Sequence, residues 1–445
     1  MKLKITLKHN LINPVSVILL LLLATIILFI SSFSISSLVF FWTLFIILYV
    51  MIKHDKILIL FCFIIGIMFM IALYHYWITF YDNSYFLGIK SDDWQYDILW
   101  TEGYISKYGI STSGLFDHLN DIKPNLGILH NSKAYVMFII YVRYFASFID
   151  GYHTLLPRIL NIFFLILTAY YSSIIAFVQT KSVRVRRLTF LLIFFYPVLL
   201  FNSSHIFRDI IISFILIYTY YLLTINKYSF STVIKILLLL FVLFFLRLST
   251  FLVCSLMILI MYSNVNKINF KLFLVIAFFG ILSSIYLISF FESALVQINN
   301  YTSLNSQRFG TIGSSIMSLP IHLGLIPRLI FLIFTPVPNF SSLHQIFVST
   351  AAFIQVFSFP YLIFGFKQKD IDFNLKIIFL LFFFGVAFTS ADFRHVMMFL
   401  PFGIILTVIS YCKKKKKGVI TKQYLLLLGL LIILFILSIG LSLYY

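Results

Sequence analysis

Residues 57–79, ILILFCFIIGIMFMIALYHYWIT, form an apolar stretch without a single charged side chain. A helix of about 20 such residues crosses the hydrocarbon core of a bilayer, so this stretch predicts a transmembrane helix. The whole chain has the same character, with 62% hydrophobic and 11% charged residues, whereas about a quarter of the residues in soluble domains are charged. We expect an all-α polytopic membrane protein, because a helix pairs its backbone amides within one segment.

Similar runs recur along the chain and predict about 13 transmembrane helices (roughly 11 to 14) in a single polytopic domain over 1–445. The run 234–262 is too long for one crossing, so we interpret it as two short helices with Arg247 at the tip. The first run is followed at once by a second, which indicates a retained helix and not a cleaved signal. The other predicted spans are 15–32, 37–52, 57–79, 155–178, 188–204, 209–225, 271–291, 345–366, 374–391, 395–411 and 424–443.

The basic residues indicate how the chain is oriented in the membrane. Most of the 33 Lys and Arg residues, including the lysine run 413–417, fall on one side when the N-terminus is placed in the cytoplasm. Cytoplasmic loops carry such an excess, so the net charge of +19 reports topology and we expect no nucleic-acid partner. This orientation requires 134–149 to be an amphipathic or re-entrant helix on the outer side.

The largest polar segment, 80–133, follows the third predicted span and holds half of the chain's 14 acidic residues. We predict that it is one large external loop. Its stretch 89–109, IKSDDWQYDILWTEGYISKYG, combines carboxylates, which accept hydrogen bonds from sugar hydroxyls, with aromatic rings such as Trp94 and Trp100, which stack on sugars. The same stretch is also typical of an amphipathic helix in the aromatic belt of the membrane interface.

Basic residues on the outer side, apart from this loop, are all arginines. A guanidinium group binds phosphate through a planar fork and keeps its charge when partly desolvated. One arginine at a helix end often only snorkels to the interface, but a set of them on the face that should be poor in basic residues favours a function. The set consists of Arg143, Arg158, Arg208, Arg247, Arg308, Arg328 and Arg394.

Further polar residues lie at predicted outer helix ends. In 202–214, NSSHIFRDIIISF, His205 and Arg208 precede a helix whose free amides favour an anion, although Arg208 and Asp209 are also compatible with a local charge pair. Arg394 and His395 occupy an outer turn. Prolines interrupt 292–340, which we predict to be a second external loop with a re-entrant segment.

Several familiar kinds of chemistry leave no trace in the sequence. There is no nucleotide-binding loop and no zinc-protease motif, and Cys62, Cys254 and Cys412 have spacings that suggest neither a disulfide framework nor a metal site. We therefore expect the chemistry on the outer face, with a lipid-linked donor. The diphosphate of such a donor requires arginine, its sugars require carboxylates and aromatic rings, and its tail requires an apolar groove among the membrane lipids.

Three stretches make the chain resemble bacterial polysaccharide polymerases, the O-antigen polymerases of the Wzy type: YPVLLFNSSHIFRDIIISFILIYTYYLL (196–223), FFLRLSTF (244–251) and DFRHVMMFLPF (392–402). More distantly, the acidic loop resembles the first external loop of GT-C glycosyltransferases, where it usually follows the first helix and not the third. The resemblance implies an enzyme of the bacterial inner membrane that moves a growing glycan from its polyprenyl diphosphate onto a lipid-linked repeat unit. A chain-length regulator protein is a further expected partner.

The resemblance also suggests a role for each candidate residue. One of Asp92, Asp93 or His205 is expected to take the proton from the attacking hydroxyl. Diphosphate leaves readily, so positioning and electrostatics suffice and we expect no cofactor, although a divalent metal is compatible with this chemistry. The residues expected to bind substrate are Arg158, Arg208, Asp209, Arg247, Arg328, Arg394, His395, Trp94 and Trp100.

Two other functions remain open at this point. A GT-C-like transferase would use the same face to add a single sugar from a polyprenyl phosphate. A transporter or flippase would instead have internal repeats and ionisable residues in the middle of the membrane, and neither feature is evident in the sequence.

Overall fold

Helices are the regular elements of the computed structural model, and no strand occurs among the residues that it describes. These residues are 12–86, 91–109, 132–225, 229–265, 319, 321–334, 343–389, 393–416 and 429. The predicted spans 271–291 and 424–443 lie outside them, apart from Gly429, and so does most of 292–340.

Within the described residues, four helices are long and apolar enough to cross a membrane: Pro14–Ser32, Lys56–Tyr81, Leu155–Thr180 and Leu343–Lys367. Shorter apolar helices accompany them, so the structure is consistent with a membrane protein. Several helices begin with a capping side chain. For example, the Asn13 side chain accepts a hydrogen bond from the Val15 amide at 3.0 Å before Pro14 begins the first helix, which satisfies one of the free amides of that end.

The first of two structural units comprises 1–122, 133–170 and 200–208. In this unit the first three helices pack against one another, because their apolar side chains recur on several faces. Its helices are α1 (Pro14–Ser32), α2 (Ile35–Met51), α3 (Lys56–Tyr81), α4 (Asp92–Trp94), α5 (Gly103–Tyr108), α6 (Lys133–Ser147), and the part of α7 (Leu155–Thr180) up to Tyr170.

Part of the predicted external loop 80–133 is helical. A π-helix, Gln95–Glu102, joins α4 to α5 without a break, and we call the continuous element 92–108 the acidic helix. The helix forms because polar and aromatic side chains recur on one buried face. This agrees with the second interpretation of 89–109, that of an amphipathic helix. The residues of this face are Asp93, Tyr96, Asp97, Trp100, Thr101 and Tyr104. Residues 87–90 and 110–131 of the predicted loop lie outside the described chain.

The predicted outer helix 134–149 forms as α6, which packs against the π-helix. Tyr135, Ile139 and Val142 are among its buried residues. Tyr141 and Phe145 are exposed. Burial of one face against the acidic helix explains its amphipathic pattern, because a helix buries residues three and four apart together.

The second unit comprises 123–132, 171–199 and 209–445. In this unit Leu400–Lys416 packs against Leu343–Lys367 and Val183–Phe194, and Phe230–Leu246 packs against Leu248–Val265. Besides the end of α7, its helices are α8 (Val183–Phe194), α10 (Asp209–Ile225), α11 (Phe230–Leu246), α12 (Leu248–Val265), α13 (Ile321–Phe334), α14 (Leu343–Lys367), α15 (Phe373–Thr389), a 3₁₀-helix (Phe393–Met398) and α16 (Leu400–Lys416).

The prediction of one continuous span at 188–204 is wrong. The structure has α8, which ends at Phe194, and a separate short helix α9, Pro197–Ser203, which passes from the second unit to the first. Pro197 causes the break, because it lacks an amide hydrogen and disfavours a helical conformation for Tyr196 before it.

The break at Arg247 was predicted correctly. Arg247 has an extended backbone, with φ −165° and ψ 104°, between α11 and α12. The prediction that prolines interrupt 292–340 is wrong for Pro327, which lies inside α13, and Pro336 and Pro338 lie outside the described residues.

Candidate functional site

Asp93 in the first turn of the acidic helix is fully buried. Its Oδ2 accepts a hydrogen bond from the Phe86 amide at 2.8 Å. Its Oδ1 accepts hydrogen bonds from the Ser91 hydroxyl at 2.6 Å and from the Trp94 amide at 3.0 Å. Burial raises the pKa of the Asp93 carboxyl to about 6, although the charge of Arg158 and these hydrogen bonds oppose the shift. A carboxyl with this pKa can exchange a proton near neutral pH.

Arg158, near the start of α7, is the fully buried cation that acts on Asp93. Its Nη2 donates to the Ser84 carbonyl, and its guanidinium carbon lies 5.6 Å from the centre of the Tyr74 ring. Its Nε and Nη1 have no hydrogen-bond partner in the part of the chain that the structure describes. Leaving such buried donors unpaired costs about 1–3 kcal/mol each, so they indicate a place for an acceptor such as a phosphate oxygen.

Asp97, four residues after Asp93, is the second fully buried carboxylate of the acidic helix. It accepts hydrogen bonds from the Tyr152 hydroxyl at 2.6 Å and from the Tyr85 hydroxyl at 2.9 Å. Arg143 Nη2 donates to its Oδ1 at 2.7 Å and to its backbone oxygen at 3.0 Å. Burial and the Asp97 charge raise the pKa of Tyr152, so its hydroxyl stays protonated and donates. We call these four residues the Asp97 network.

The turn between α6 and α7 is fixed to α2. The Asp150 carboxylate accepts hydrogen bonds from the amides of Ile35 and Ser36 at the start of α2, and the Ser36 hydroxyl donates to the Gly151 carbonyl at 2.7 Å. A carboxylate at a helix N-terminus is stabilised by the free amides there. This turn carries Tyr152 into the Asp97 network.

His153 lies in the same turn, beside Tyr74 and Arg158. Its Nε2 is 3.5 Å from the Tyr74 hydroxyl. Burial and the Arg158 charge lower the pKa of His153 to about 4, so the imidazole is neutral near pH 7. His153 is therefore a neutral ring beside the Arg158 cation.

His205, predicted as a proton acceptor, is fully buried with both ring nitrogens in hydrogen bonds. The Trp77 indole donates to Nε2 at 2.8 Å, and Nδ1 lies 2.8 Å from the Phe201 carbonyl. Because an indole N–H can only donate, Nε2 is the acceptor and Nδ1 carries the hydrogen. The Asn161 amide also donates to the His205 carbonyl at 2.6 Å. This geometry disfavours His205 as a base and indicates that it holds α3 to the segment after α9.

The predicted sugar-stacking residues differ in exposure. Trp94 is partly exposed and could present its ring to a ligand. Trp100 is only 5% exposed and lies edge-on to Tyr96, with ring centres 4.8 Å apart. The structure thus corrects the expectation that Trp100 is a stacking surface, since its ring is used in packing. Asp92, the third candidate base, is partly exposed beside Asp93.

A second buried charge pair lies in the second unit. Arg247 Nη1 is 3.5 Å from the Asp209 carboxylate, and both side chains are buried. A cavity of about 240 Å³ is lined by Arg247, Thr250 and Met398, among others. Arg208, which precedes this pair in sequence, is partly buried and belongs to the first unit.

The remaining predicted residues lie elsewhere in the second unit. Arg328 in α13 is buried, and its Nη2 donates to the Leu319 carbonyl at 3.0 Å. Arg394 and His395 begin the 3₁₀-helix, where Arg394 is partly exposed and His395 is buried. Within the first unit the charge of Arg158 acts on Asp93, and within the second unit Arg247 pairs with Asp209.

The Asp97 network was not predicted from the sequence. Arg143 was interpreted as a residue of a membrane-surface helix, and its partner Asp97 lies 46 positions earlier, beyond any local spacing. A signal was nevertheless present, because Asp93 and Asp97 share a helical face with Tyr96 and Trp100 at positions three and four apart.

In the described residues, no group of three or more His, Cys, Asp or Glu side chains could hold a metal ion. The arrangement around Arg158 can bind an anion and move a proton to a nearby carboxylate. Comparison of the chain with family models, with curated proteins and with solved structures finds no match.

Proposed function

We propose that this protein polymerises polyprenyl-diphosphate-linked oligosaccharide repeat units into O-antigen or a related surface polysaccharide. The reaction takes place at the outer face of the bacterial inner membrane, and the N-terminus lies in the cytoplasm. The buried guanidinium of Arg158, with two unpaired donor atoms, is the observation that supports this proposal most strongly. The excess of lysine in the turns on one side of the predicted topology supports a cytoplasmic N-terminus.

Arg158 is suited to a phosphate for three reasons. It is fully buried, so water does not screen its charge. Its Nε and Nη1 have no partner among the described residues, and each of these N–H groups can donate to one oxygen of a diphosphate. Tyr74 and Ser84 hold it in place from the other side. A diphosphate would remove the cost of the unpaired donors, and its leaving-group charge would be stabilised as it forms.

The proposed reaction is a displacement at the anomeric carbon of the donor glycan. A hydroxyl oxygen of the acceptor repeat unit attacks this carbon, and the bond from the carbon to the diphosphate oxygen breaks. The hydroxyl proton moves to Asp93, whose pKa of about 6 suits a general base. The polyprenyl diphosphate leaves with the bonding electron pair, next to Arg158. Asp92 is the alternative base, because it lies beside Asp93 and is more exposed.

The Asp97 network has a positioning role in this proposal. Arg143 and Tyr152 are joined to Asp97 on the same helix that carries Asp93. A catalytic carboxylate must be held within a fraction of an ångström of its working position. The network therefore fixes the acidic helix without contacting the substrate.

A polymerase also binds the diphosphate of the acceptor lipid. Arg247 is the candidate for this second anion, because it is buried beside a cavity of about 240 Å³. Its partner Asp209 lies at 3.5 Å, at the long end of a charge-assisted contact. An entering phosphate can therefore compete with Asp209 for the guanidinium.

Transfer of a single sugar is a second candidate function. Asp92 and Asp93 begin a helix that follows an early apolar helix, an arrangement similar to the acidic loop of GT-C enzymes. The same residues would then act on a polyprenyl phosphate donor. The two candidates differ in their products, which are a ladder of chain lengths or one addition.

Deletion of the gene in its native host tests the proposal. Surface glycan extracted from the deletion strain and separated by electrophoresis is expected to lose the ladder and keep a band with one repeat unit. Expression of the wild-type protein is expected to restore the ladder. A ladder that persists in the deletion strain would exclude polymerisation. A glycan that lacks a single sugar but still forms a ladder would favour the single-sugar transferase.

A further inference from the structure

A polar cavity of about 380 Å³ lies in the second unit, where the C-terminal ends of α7 and α16 meet the N-terminal end of α8. This volume is within the usual range of small-molecule sites. Its lining combines hydroxyl, amide and charged groups with few apolar side chains. The lining residues are Gln179, Thr180, Ser182, Arg184, Val185, Asp370, Ile409, Cys412 and Lys413.

Two cations and one carboxylate face this cavity. Lys413 donates a hydrogen bond to Asp370. Arg184 is exposed and forms no ion pair or hydrogen bond with any residue that the structure describes. The cavity thus has a net positive charge, with an unpaired guanidinium on its wall. Ser182 caps α8, so the positive end of the helix dipole lies on the same wall.

The cavity lies at the ends of two helices that are long enough to cross a membrane. Thr180 is the last residue of one helix that is long enough to cross a bilayer, and Asp370 follows the end of another, Leu343–Lys367, by three positions. Lysines 413–416 at the end of α16 belong to the side that the sequence places in the cytoplasm. Anionic lipids at such a surface attract basic residues by about 1 kcal/mol for each residue.

We propose that this cavity binds the phosphate group of an anionic phospholipid, with Arg184 as its principal ligand and Lys413 as the second. The Ser182 and Thr180 hydroxyls supply the remaining polar lining. The site is independent of the glycan-transfer site in the first unit. A lipid phosphate bound there anchors the C-terminal ends of α7 and α16 and the N-terminal end of α8 to the lipid surface.

Asp370 provides a test of the sign of the ligand charge. Its side chain is 67% exposed and accepts a hydrogen bond from Lys413. A phosphate must compete with it for the ammonium group and is repelled by it at short range. Removing this carboxylate is therefore expected to strengthen the binding of an anion and to weaken the binding of a cation.

The experiment uses the full-length protein in nanodiscs of phosphatidylcholine, with spin-labelled phosphatidylglycerol as the probe. We expect Arg184→Gln to lower the affinity for phosphatidylglycerol by about tenfold, the loss of one charge-assisted hydrogen bond. Asp370→Asn is expected to raise this affinity. Lys369→Gln is the matched control, because Lys369 is exposed in the same turn and does not line the cavity. This substitution is expected to change the affinity for phosphatidylglycerol less than twofold, about 0.4 kcal/mol.

Each alternative result would overturn the proposal. Equal affinities of wild-type and Arg184→Gln protein would show that the cavity does not bind the lipid. Weaker binding in Asp370→Asn would show that the ligand is not an anion. Displacement of the probe by millimolar inorganic phosphate, with no preference for phosphatidylglycerol over phosphatidylcholine, would assign the site to a soluble phosphate. All three variants change exposed side chains, so they are expected to fold.

Discussion

Asp93 and Asp97 lie one helical turn apart in the acidic helix, and both are fully buried, but their surroundings differ. Asp97 is joined directly to Arg143 and to two tyrosine hydroxyls. Asp93 instead lies near Arg158, whose Nε and Nη1 remain without partners in the described residues. One donor of the Asp97 network, Arg143 Nε, is also without a partner in the described residues, but Arg143 donates to the Asp97 carboxylate, whereas Arg158 donates to the Ser84 carbonyl. A buried ion pair stabilises one arrangement, and unpaired buried donors on a cation that donates to a neutral carbonyl favour a ligand. We infer that the Asp97 network is structural and that the Arg158 site is reactive.

The largest effect is expected from Arg158→Lys. Lysine keeps the positive charge but replaces the planar fork with a point charge, so it cannot hold two phosphate oxygens. Cells with this variant are expected to lose the glycan ladder completely while the protein remains at its normal level in the membrane. Electrophoresis of surface glycan and immunoblotting of membranes measure both quantities.

Arg186→Lys is the matched control for this substitution. Arg186 lies on α8, partly exposed, with its guanidinium carbon 5.3 Å from the centre of the Phe177 ring. The ladder is expected to be unchanged in this variant. A normal ladder in Arg158→Lys would remove the basis for the phosphate role of Arg158.

The next largest effect is expected from Asp93→Asn, which should slow chain extension about 100-fold, the usual contribution of a general base. In membrane vesicles the wild-type rate is expected to fall as pH drops below 6, because the pKa of Asp93 is raised to about 6 and protonation removes the base. In Asp93→Asn this dependence should disappear. If Asp92→Asn slows chain extension and Asp93→Asn does not, the general base is Asp92.

The raised pKa of Asp93 has the opposite consequence for stability. The folded state binds this proton more tightly than the unfolded chain, where the ordinary value is 3.8. Asp93 therefore contributes stability that is fully present below pH 3.8 and is lost as pH rises through about 6. The fold is therefore less stable when the Asp93 carboxyl is ionised, which is the form that can accept a proton in the proposed reaction.

Asp97→Asn is expected to act on stability first. It removes the buried carboxylate partner of Arg143 and leaves only the half-exposed Glu102 carboxylate at 3.6 Å, at a cost of about 3 kcal/mol. Thermal unfolding of the purified protein in detergent measures this loss. Activity per folded molecule is expected to fall much less than in Asp93→Asn. An unchanged unfolding temperature would contradict the structural role of the network.

Tyr152→Phe is expected to have the smallest effect. It removes one hydrogen bond to Asp97, at 2.6 Å, and keeps the ring that stacks with Arg143 at 4.0 Å. The expected loss of unfolding free energy is about 1 kcal/mol. The same unfolding measurement detects it, and a loss as large as that of Asp97→Asn would mean that the tyrosine, and not the arginine, is the main partner.

Apolar runs allowed the long helices to be predicted closely from the sequence. The predicted spans 57–79 and 155–178 became Lys56–Tyr81 and Leu155–Thr180, because the length of an apolar run limits the helix that it forms. The break at Arg247 was also evident, since one charge interrupts a long run. At 188–204, Pro197 was present in the sequence, but the apolar character of the run outweighed it in the prediction.

The site was predicted less well, for physical reasons. Arg158 and Asp93 were both identified as candidates, but nothing local in the sequence pairs them. The partners of His205, which are Trp77 and the Phe201 carbonyl, depend on packing between α3 and the segment after α9. The burial of Asp97 depends on Arg143 in another helix. Contacts of this kind are set by tertiary packing, which local spacing does not encode.

Binding of polyprenyl diphosphate to the full-length protein tests the central claim most directly. The measurement compares wild-type, Arg158→Lys and Tyr152→Phe proteins in nanodiscs of uncharged lipid, titrated with radiolabelled polyprenyl diphosphate. We expect the wild-type and Tyr152→Phe proteins to bind polyprenyl diphosphate equally. The Arg158→Lys protein is expected to bind at least one fewer molecule per protein, or to bind with about tenfold lower affinity. Equal stoichiometry and affinity in all three proteins would contradict the claim that Arg158 receives the substrate diphosphate.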